Sequence, residues 1–74
     1  MDIVAIMTTL AEQGVTVIFK ADSERMAEGG RSWTFVATGE PLRGEIVRTD
    51  AASVERCLAI VLPRLRSLGV SVPE

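Results

Sequence analysis

The spacing of apolar residues predicts a helix near each end of the chain. Near the N-terminus, apolar side chains recur at helical spacing, at Ile3, Ile6, Met7 and Leu10. Asp2 is placed to cap this first helix and Gly14 to end it. A longer stripe with the same spacing follows near the C-terminus, at Val54, Cys57, Leu58, Val61, Leu65 and Leu68. Asp50 is the predicted N-cap of this last helix, and Pro63 is expected to bend or interrupt it.

Between the helices the apolar period changes from that of a helix to that of a strand. Residues 15–20 alternate in polarity, as do residues 32–38 and, less regularly, residues 42–48. Residues 22–31 are polar and contain a Gly-Gly pair, which is typical of a loop. Residues 39–41 are too few for a crossover connection, so the three strands are expected to form an antiparallel meander.

The predicted fold is therefore α+β, with the order αβββα and both helices packed on one face of a three-stranded sheet. Residues 1–69 are expected to form a single domain, and residues 70–74 a short C-terminal tail. The alternation places Ile18, Val36 and Val47 on the outward face, one in each strand. Such residues are explained either by the ordinary β-propensity of exposed strands or by a surface for a partner or a second copy.

Composition narrows the possible functions mainly by exclusion. The 74 residues include no histidine and only one cysteine, Cys57. A chain without histidine lacks the usual general base, and a single thiol cannot supply the ligands of a zinc or iron–sulfur site. Cys57 lies on the apolar stripe of the last helix, which is typical of a small buried residue. We therefore expect no enzyme activity, no cofactor and no bound metal.

Charge and targeting signals are equally uninformative about a partner. The formal net charge is −2, which is not the basic balance of a typical nucleic-acid-binding chain. No apolar run approaches the roughly 20 residues of a membrane helix, and the first ten residues lack a basic signal-peptide region. These observations predict a cytoplasmic protein without membrane association. From the excess of Arg over Lys we expect a small bacterial or phage accessory protein from a GC-rich genome.

A family resemblance extends over residues 2 to about 68 and is strongest in one stretch. Residues 33–62, WTFVATGEPLRGEIVRTDAASVERCLAIVL, contain a strand, a short turn, a strand with glycine, and a capped helix. In this order the chain resembles a double-stranded RNA-binding domain, and the resemblance implies the αβββα fold. The family binds duplex phosphates with lysines at the start of its last helix. The matching positions here are Asp50, Ala51 and Val54, none of which is basic. The resemblance thus implies the fold without the RNA contacts, and duplex RNA is not the expected partner.

Two sets of candidate site residues follow. The candidate protein interface consists of outward or strand-end apolar residues, namely Ile18, Val36, Val47, Ile60 and Trp33. Trp33 is explained either as a core residue or as a partly exposed interface anchor. The alternative is a nucleic-acid surface built from dispersed arginines, Arg43, Arg64 and Arg66. The sequence favours a small non-catalytic protein-interaction module or adaptor that self-associates as a homodimer, with the arginine-based nucleic-acid binder as the runner-up.

Overall fold

The computed structural model describes residues 2–73, whose elements follow the order helix, sheet, helix with two short insertions. These elements are α1 (Ile3–Glu12), β1 (Thr16–Ala21), α2 (Ser23–Ala27), β2 (Trp33–Thr38), a 3₁₀ turn (Glu40–Leu42), β3 (Val47–Ala51) and α3 (Val54–Ser67). The predicted α+β class and the order αβββα are confirmed by this arrangement. The insertions are α2, between the first two strands, and the 3₁₀ turn before the third.

The sheet is antiparallel, and its strand order β1-β2-β3 places β2 in the centre. Phe35 of β2 lies between Phe19 of β1 and Thr49 of β3, on the face that carries the core. Ala37 and Val47 pair on this same face and are both fully buried. Because side chains alternate along each strand, the neighbouring positions point to the opposite, outward face.

A single apolar cluster joins the sheet to the two long helices. Phe35 is fully buried at its centre. The helices contribute the following buried residues: Ile6 and Leu10 from α1, and Cys57, Leu58, Val61 and Leu65 from α3. The stripe predicted for each helix from apolar spacing is therefore the side that packs into the core.

The third strand lies further along the chain than predicted. Residues 40–42 form the 3₁₀ turn instead of a strand, and Arg43 and Gly44 follow with positive φ angles of 56° and 83°. Because of this turn, β3 begins only at Val47. Its residues therefore do not lie on the faces of the sheet that the alternation predicts. The assignment of Val47 to the outward face is wrong, because its side chain is fully buried. Ile46, which the alternation paired with buried Leu42, is 60% exposed.

The start of the last helix also differs from the prediction. Asp50 lies within β3, and the cap of α3 is Ser53, whose Oγ accepts a hydrogen bond from the Arg56 amide at 3.2 Å. Pro63 does not interrupt α3, which continues to Ser67. Pro63 and Ala59, the residue whose carbonyl loses its helical donor, are both exposed, so water can satisfy that carbonyl.

The predicted loop over residues 22–31 contains a helical turn, α2. Asp22 caps it by accepting a hydrogen bond from the Arg25 amide at 3.0 Å, and Glu24 lies in its first turn. No apolar side chain of α2 is buried. Its five residues are therefore held by capping and polar contacts, which apolar spacing does not detect.

The residues after α3 pack onto the domain. Val70 is buried, and Val72 contacts the core cluster. The side chain of Gln13 forms a pair of hydrogen bonds with the Ser71 backbone, donating to its carbonyl at 2.7 Å and accepting from its amide at 2.9 Å. The final segment is thereby attached to the end of α1.

We expect Leu58→Ala to lower the free energy of unfolding by about 2–5 kcal/mol, because Leu58 is 1% exposed and the change leaves a cavity in the core. Val4→Ala is the matched control, since Val4 is 69% exposed on α1. The control should change stability by no more than about 0.5 kcal/mol. Urea unfolding of both variants measures the difference, and equal midpoints for the two would contradict the assignment of the core stripe.

Candidate interaction surfaces

The outward face of the sheet carries two of the three apolar residues predicted there. Ile18, Val36 and Arg48 lie side by side across the three strands. Ile18 is 56% exposed and Val36 is half-buried. Arg48 takes the place expected for Val47, so the apolar surface here consists of Ile18 and Val36 next to the Arg48 guanidinium.

Trp33 lies on the core face at the end of β2. Its ring contacts Phe19 edge-to-face, with centroids 6.1 Å apart, and Phe19 makes a similar contact with Phe35 at 5.1 Å. The Trp33 carbonyl accepts a hydrogen bond from the Cys57 Sγ at 3.6 Å. Trp33 is half-buried and packs against the core cluster, so most of its ring serves the fold.

A polar cluster covers the other end of the outward face. Arg25 of α2 reaches Asp50 of β3 at 3.4 Å and Thr34 of β2 at 3.5 Å. The Thr34 hydroxyl donates to the same Asp50 oxygen, Oδ1, at 2.5 Å. Arg25 also donates to the Arg31 carbonyl at 3.0 Å and lies 3.6 Å from Asp22. These contacts hold α2 against the sheet and leave Thr34 only 1% exposed.

The cluster keeps its two carboxyl groups ionised. The pKa of Asp50 is lowered from its usual 3.8, chiefly by the hydrogen bond from Thr34 and also by Arg25 and Arg48. The pKa of Asp22 is lowered as well, chiefly by the hydrogen bond from the Arg25 amide. Partial desolvation opposes both shifts without reversing them.

A cleft of about 340 Å³ lies at the end of β3, beside the first turns of α3 and the residue Arg31 that precedes β2. We call it the edge cleft, and its lining consists of Arg31, Thr49, Asp50, Ala51, Ala52, Arg56 and Ile60. Ile60 is 54% exposed here, as its position off the apolar stripe predicts. Ile46, just before β3, is also exposed. In the sheet of residues 16–51, β3 pairs with β2 alone, so its other edge is open next to two exposed isoleucines.

The three arginines of the alternative nucleic-acid surface come from two separate parts of the chain. Arg43 lies in the turn before β3, whereas Arg64 and Arg66 lie near the end of α3. Arg64 and Arg66 are two residues apart on α3, so their side chains point in directions about 200° apart around the helix axis. The arginines that the structure brings together are Arg31 and Arg56, at the edge cleft.

Chemistry at the remaining candidate groups is limited. Burial raises the pKa of the Cys57 thiol, and the nearby charge of Asp50 raises it further, so little reactive thiolate forms. Within residues 2–73 no three His, Cys, Asp or Glu side chains are grouped to hold a metal ion. No helix in this range is long and apolar enough to cross a membrane.

Comparison of the chain with protein-family models, curated proteins and solved structures found no match.

The position of Ile60 off the apolar stripe indicates its exposure, but no sequence pattern indicates the polar cluster or the edge cleft. The spacing of Asp22 and Arg25 is that of an N-cap and its third helical residue, a signal that points to α2. The contact of Arg25 with β3 joins positions 25 residues apart. No local pattern encodes such a contact.

The polar cluster predicts a pH-dependent contribution to stability. Because the folded pKa of Asp50 is lowered, ionised Asp50 stabilises the fold above its usual pKa of 3.8, and this is lost as the pH falls through the folded pKa. Thr34→Val removes the main cause of the lowered pKa. The stability difference between wild type and this variant should be largest above the usual pKa of 3.8 and should shrink as the pH falls below it.

Urea unfolding at a series of pH values measures this difference, and Thr38→Val is the control. Thr38 lies on the same strand and the same outward face but outside the polar cluster. Its substitution should shift stability equally at every pH. A Thr34→Val effect that is equally independent of pH would show that the hydrogen bond to Asp50 does not matter.

Proposed function

We propose that this protein is a small non-catalytic protein-interaction module that self-associates through the open edge of β3. The observation that carries the proposal is the unpaired edge of β3, which has the edge cleft with exposed Ile60 at its end and exposed Ile46 just before its start. An unpaired edge offers a row of backbone donors and acceptors to another strand. Exposed apolar residues beside it add area that becomes buried when that strand binds.

The size of the chain supports the same proposal. A domain of about this length buries only about 60% of its unfolded surface. Among residues 2–73, five large apolar side chains remain more than half exposed, Val4, Ile18, Met26, Ile46 and Ile60. Association that covers some of them stabilises the folded state by mass action. The cytoplasmic location and the bacterial or phage origin expected from the sequence are part of this proposal.

Sedimentation tests the proposal directly. We expect a dimer at concentrations on the order of tens of micromolar, with a melting temperature that rises with concentration. Ile60→Lys should convert it to a monomer, because an ammonium group would be brought into the apolar contact. Val4→Lys, which makes the same kind of change on α1, should remain dimeric.

The competing surface is the outward face of the sheet, which Val36→Lys and Ile18→Lys examine in the same experiment. If these variants dissociate the dimer and Ile60→Lys does not, the interface lies on that face. A wild-type chain that stays monomeric at every concentration would contradict self-association altogether.

The resemblance to a double-stranded RNA-binding domain supports the fold in this proposal, without RNA binding. Asp50, at a position that matches a phosphate-contacting lysine, lies in β3 and bonds to Arg25 and Thr34. The first turn of α3 contains one acid, Glu55, and one base, Arg56, instead of a set of cations. An anionic backbone would find only Arg56 and the nearby Arg31 there, offset by the carboxylates of Glu55 and Asp50.

Duplex RNA of about 16 base pairs should therefore show no salt-sensitive binding near neutral pH. Fluorescence anisotropy with labelled RNA, titrated with protein at several salt concentrations, measures this. Micromolar affinity at roughly 150 mM salt would favour the arginine-based alternative. Single substitutions of Arg43, Arg64 and Arg66 would then locate the contacts, with Arg31 and Arg56 added because they share the edge cleft.

A further inference from the structure

We infer that the occupant of the β3 edge is a second copy of this chain, paired antiparallel with Thr49 on a two-fold axis. This inference rests on the proposed function and specifies its partner and register. It is carried by the sequence of the open edge, residues 46–52, Ile-Val-Arg-Thr-Asp-Ala-Ala. Around Thr49 this segment is chemically self-complementary. Apolar residues lie at both ends, and a cation and an anion flank the centre.

Antiparallel pairing about Thr49 matches each side chain with a suitable partner. Arg48 lies opposite the partner's Asp50 on the outward face, and Val47 lies opposite the partner's Ala51 on the core face. One position further out, exposed Ile46 lies opposite the partner's Ala52, which is also exposed. Two-fold symmetry repeats every contact, which gives two ion pairs and a continuous six-stranded sheet.

The charges exclude the neighbouring registers. A two-fold axis perpendicular to the sheet keeps the helices of both copies on one side and allows shifts of the centre by whole residues. Centring on Arg48 would place that arginine opposite its own copy, and centring on Asp50 would do the same with two carboxylates. Like charges directly opposite each other are unfavourable. Centring on Val47 or on Ala51 avoids them but forms neither Arg48–Asp50 pair, so the pairing about Thr49 is favoured over these registers as well.

The atoms needed for these ion pairs are available. Arg48 is exposed and makes no ion pair within residues 2–73. Asp50 uses Oδ1 for both Thr34 and Arg25, and its Oδ2 accepts no hydrogen bond from a described residue. Asp50 is held in place by its own chain with one oxygen left to receive a guanidinium.

The side of α3 fits the same two-fold axis. Ile60 lies six residues after the first residue of α3, which is about 9 Å along the helix axis. Thr49 lies two residues before the end of β3, which is about 7 Å along the strand. Since α3 turns back beside β3, the two residues lie at a similar level, and both line the edge cleft. Ile60 is therefore placed to meet its own copy near the axis.

The positive charge of the cleft is also matched. Extending the register by one residue brings Glu45 opposite the partner's Ser53, which caps α3. Arg56 lies in the first turn of that helix, and Arg31 lines the same cleft. A carboxylate there would be stabilised by the arginines and by the N-terminal end of the helix.

Charge reversal tests the register by sedimentation. Arg48→Glu should weaken dimerisation by about tenfold or more, because two attractive cross-strand pairs become two repulsive ones. Arg66→Glu is the matched control, since it makes the same change of charge at an exposed position on α3. It should leave the dimer dissociation constant nearly unchanged.

Cysteine cross-linking tests the same register through the distance between equivalent residues, and Thr49→Cys does so without altering the charges of β3. Thr49→Cys should form a disulfide between copies on mild oxidation, because only residue 49 faces itself. Arg48→Cys should not, since residue 48 lies diagonal to its own copy. The wild type is the background control, because its Cys57 is buried.

The outcomes separate the two proposals. A dimer that Arg48→Glu weakens and that links through position 49 supports both. A dimer that links through position 48, or that responds equally to Arg48→Glu and Arg66→Glu, overturns this register and leaves self-association intact. A monomer at all concentrations that forms no cross-link at either position overturns both.

Discussion

The path of the chain between β2 and β3 determines the rest of the structure. Gly39 leaves β2 with a φ of 140° and lies so close to the α1–β1 turn that a Cβ there would be 2.3 Å from the Gly14 carbonyl oxygen. Only glycine fits this approach. The 3₁₀ turn then buries Leu42 completely in the core, and Arg43 and Gly44 reverse the chain. These contacts set where β3 begins and which of its side chains face inward.

This constraint explains which parts of the fold could be predicted. The helices were predictable because their apolar stripes are long, and β1 because its alternation is unbroken. Residues 42–48 also alternate, but an alternating pattern does not reveal where pairing starts, and Val47 was placed on the wrong face as a result. Gly44 signals a turn, whereas nothing in the residue type of Arg43 signals its left-handed conformation. Because β3 begins later than predicted, Asp50 lies within that strand and does not cap α3.

The contact between Arg25 and β3 divides the outward face into two unlike halves. At one end α2 covers Thr34 and fixes Asp50, and at the other end Ile18 and Val36 remain accessible. Apolar spacing could not predict the covered half, because α2 buries no apolar side chain and depends on Asp22 and Arg25. The same contact fixes a side chain of the candidate site. Asp50 is held in one orientation, so the charge it presents at the edge is fixed by contacts within its own chain.

An open strand edge is ordinarily a hazard, because it offers pairing to any extended chain. Proteins protect such edges with charged residues, and β3 carries two, Arg48 and Asp50. Charges of one sign would repel every copy of the chain in every register. Opposite charges two residues apart are selective, since they repel the copies in the neighbouring symmetric registers and attract them in the one centred on Thr49. In the proposed pair, the residues that protect the edge from indiscriminate association are also those that determine its one permitted partner.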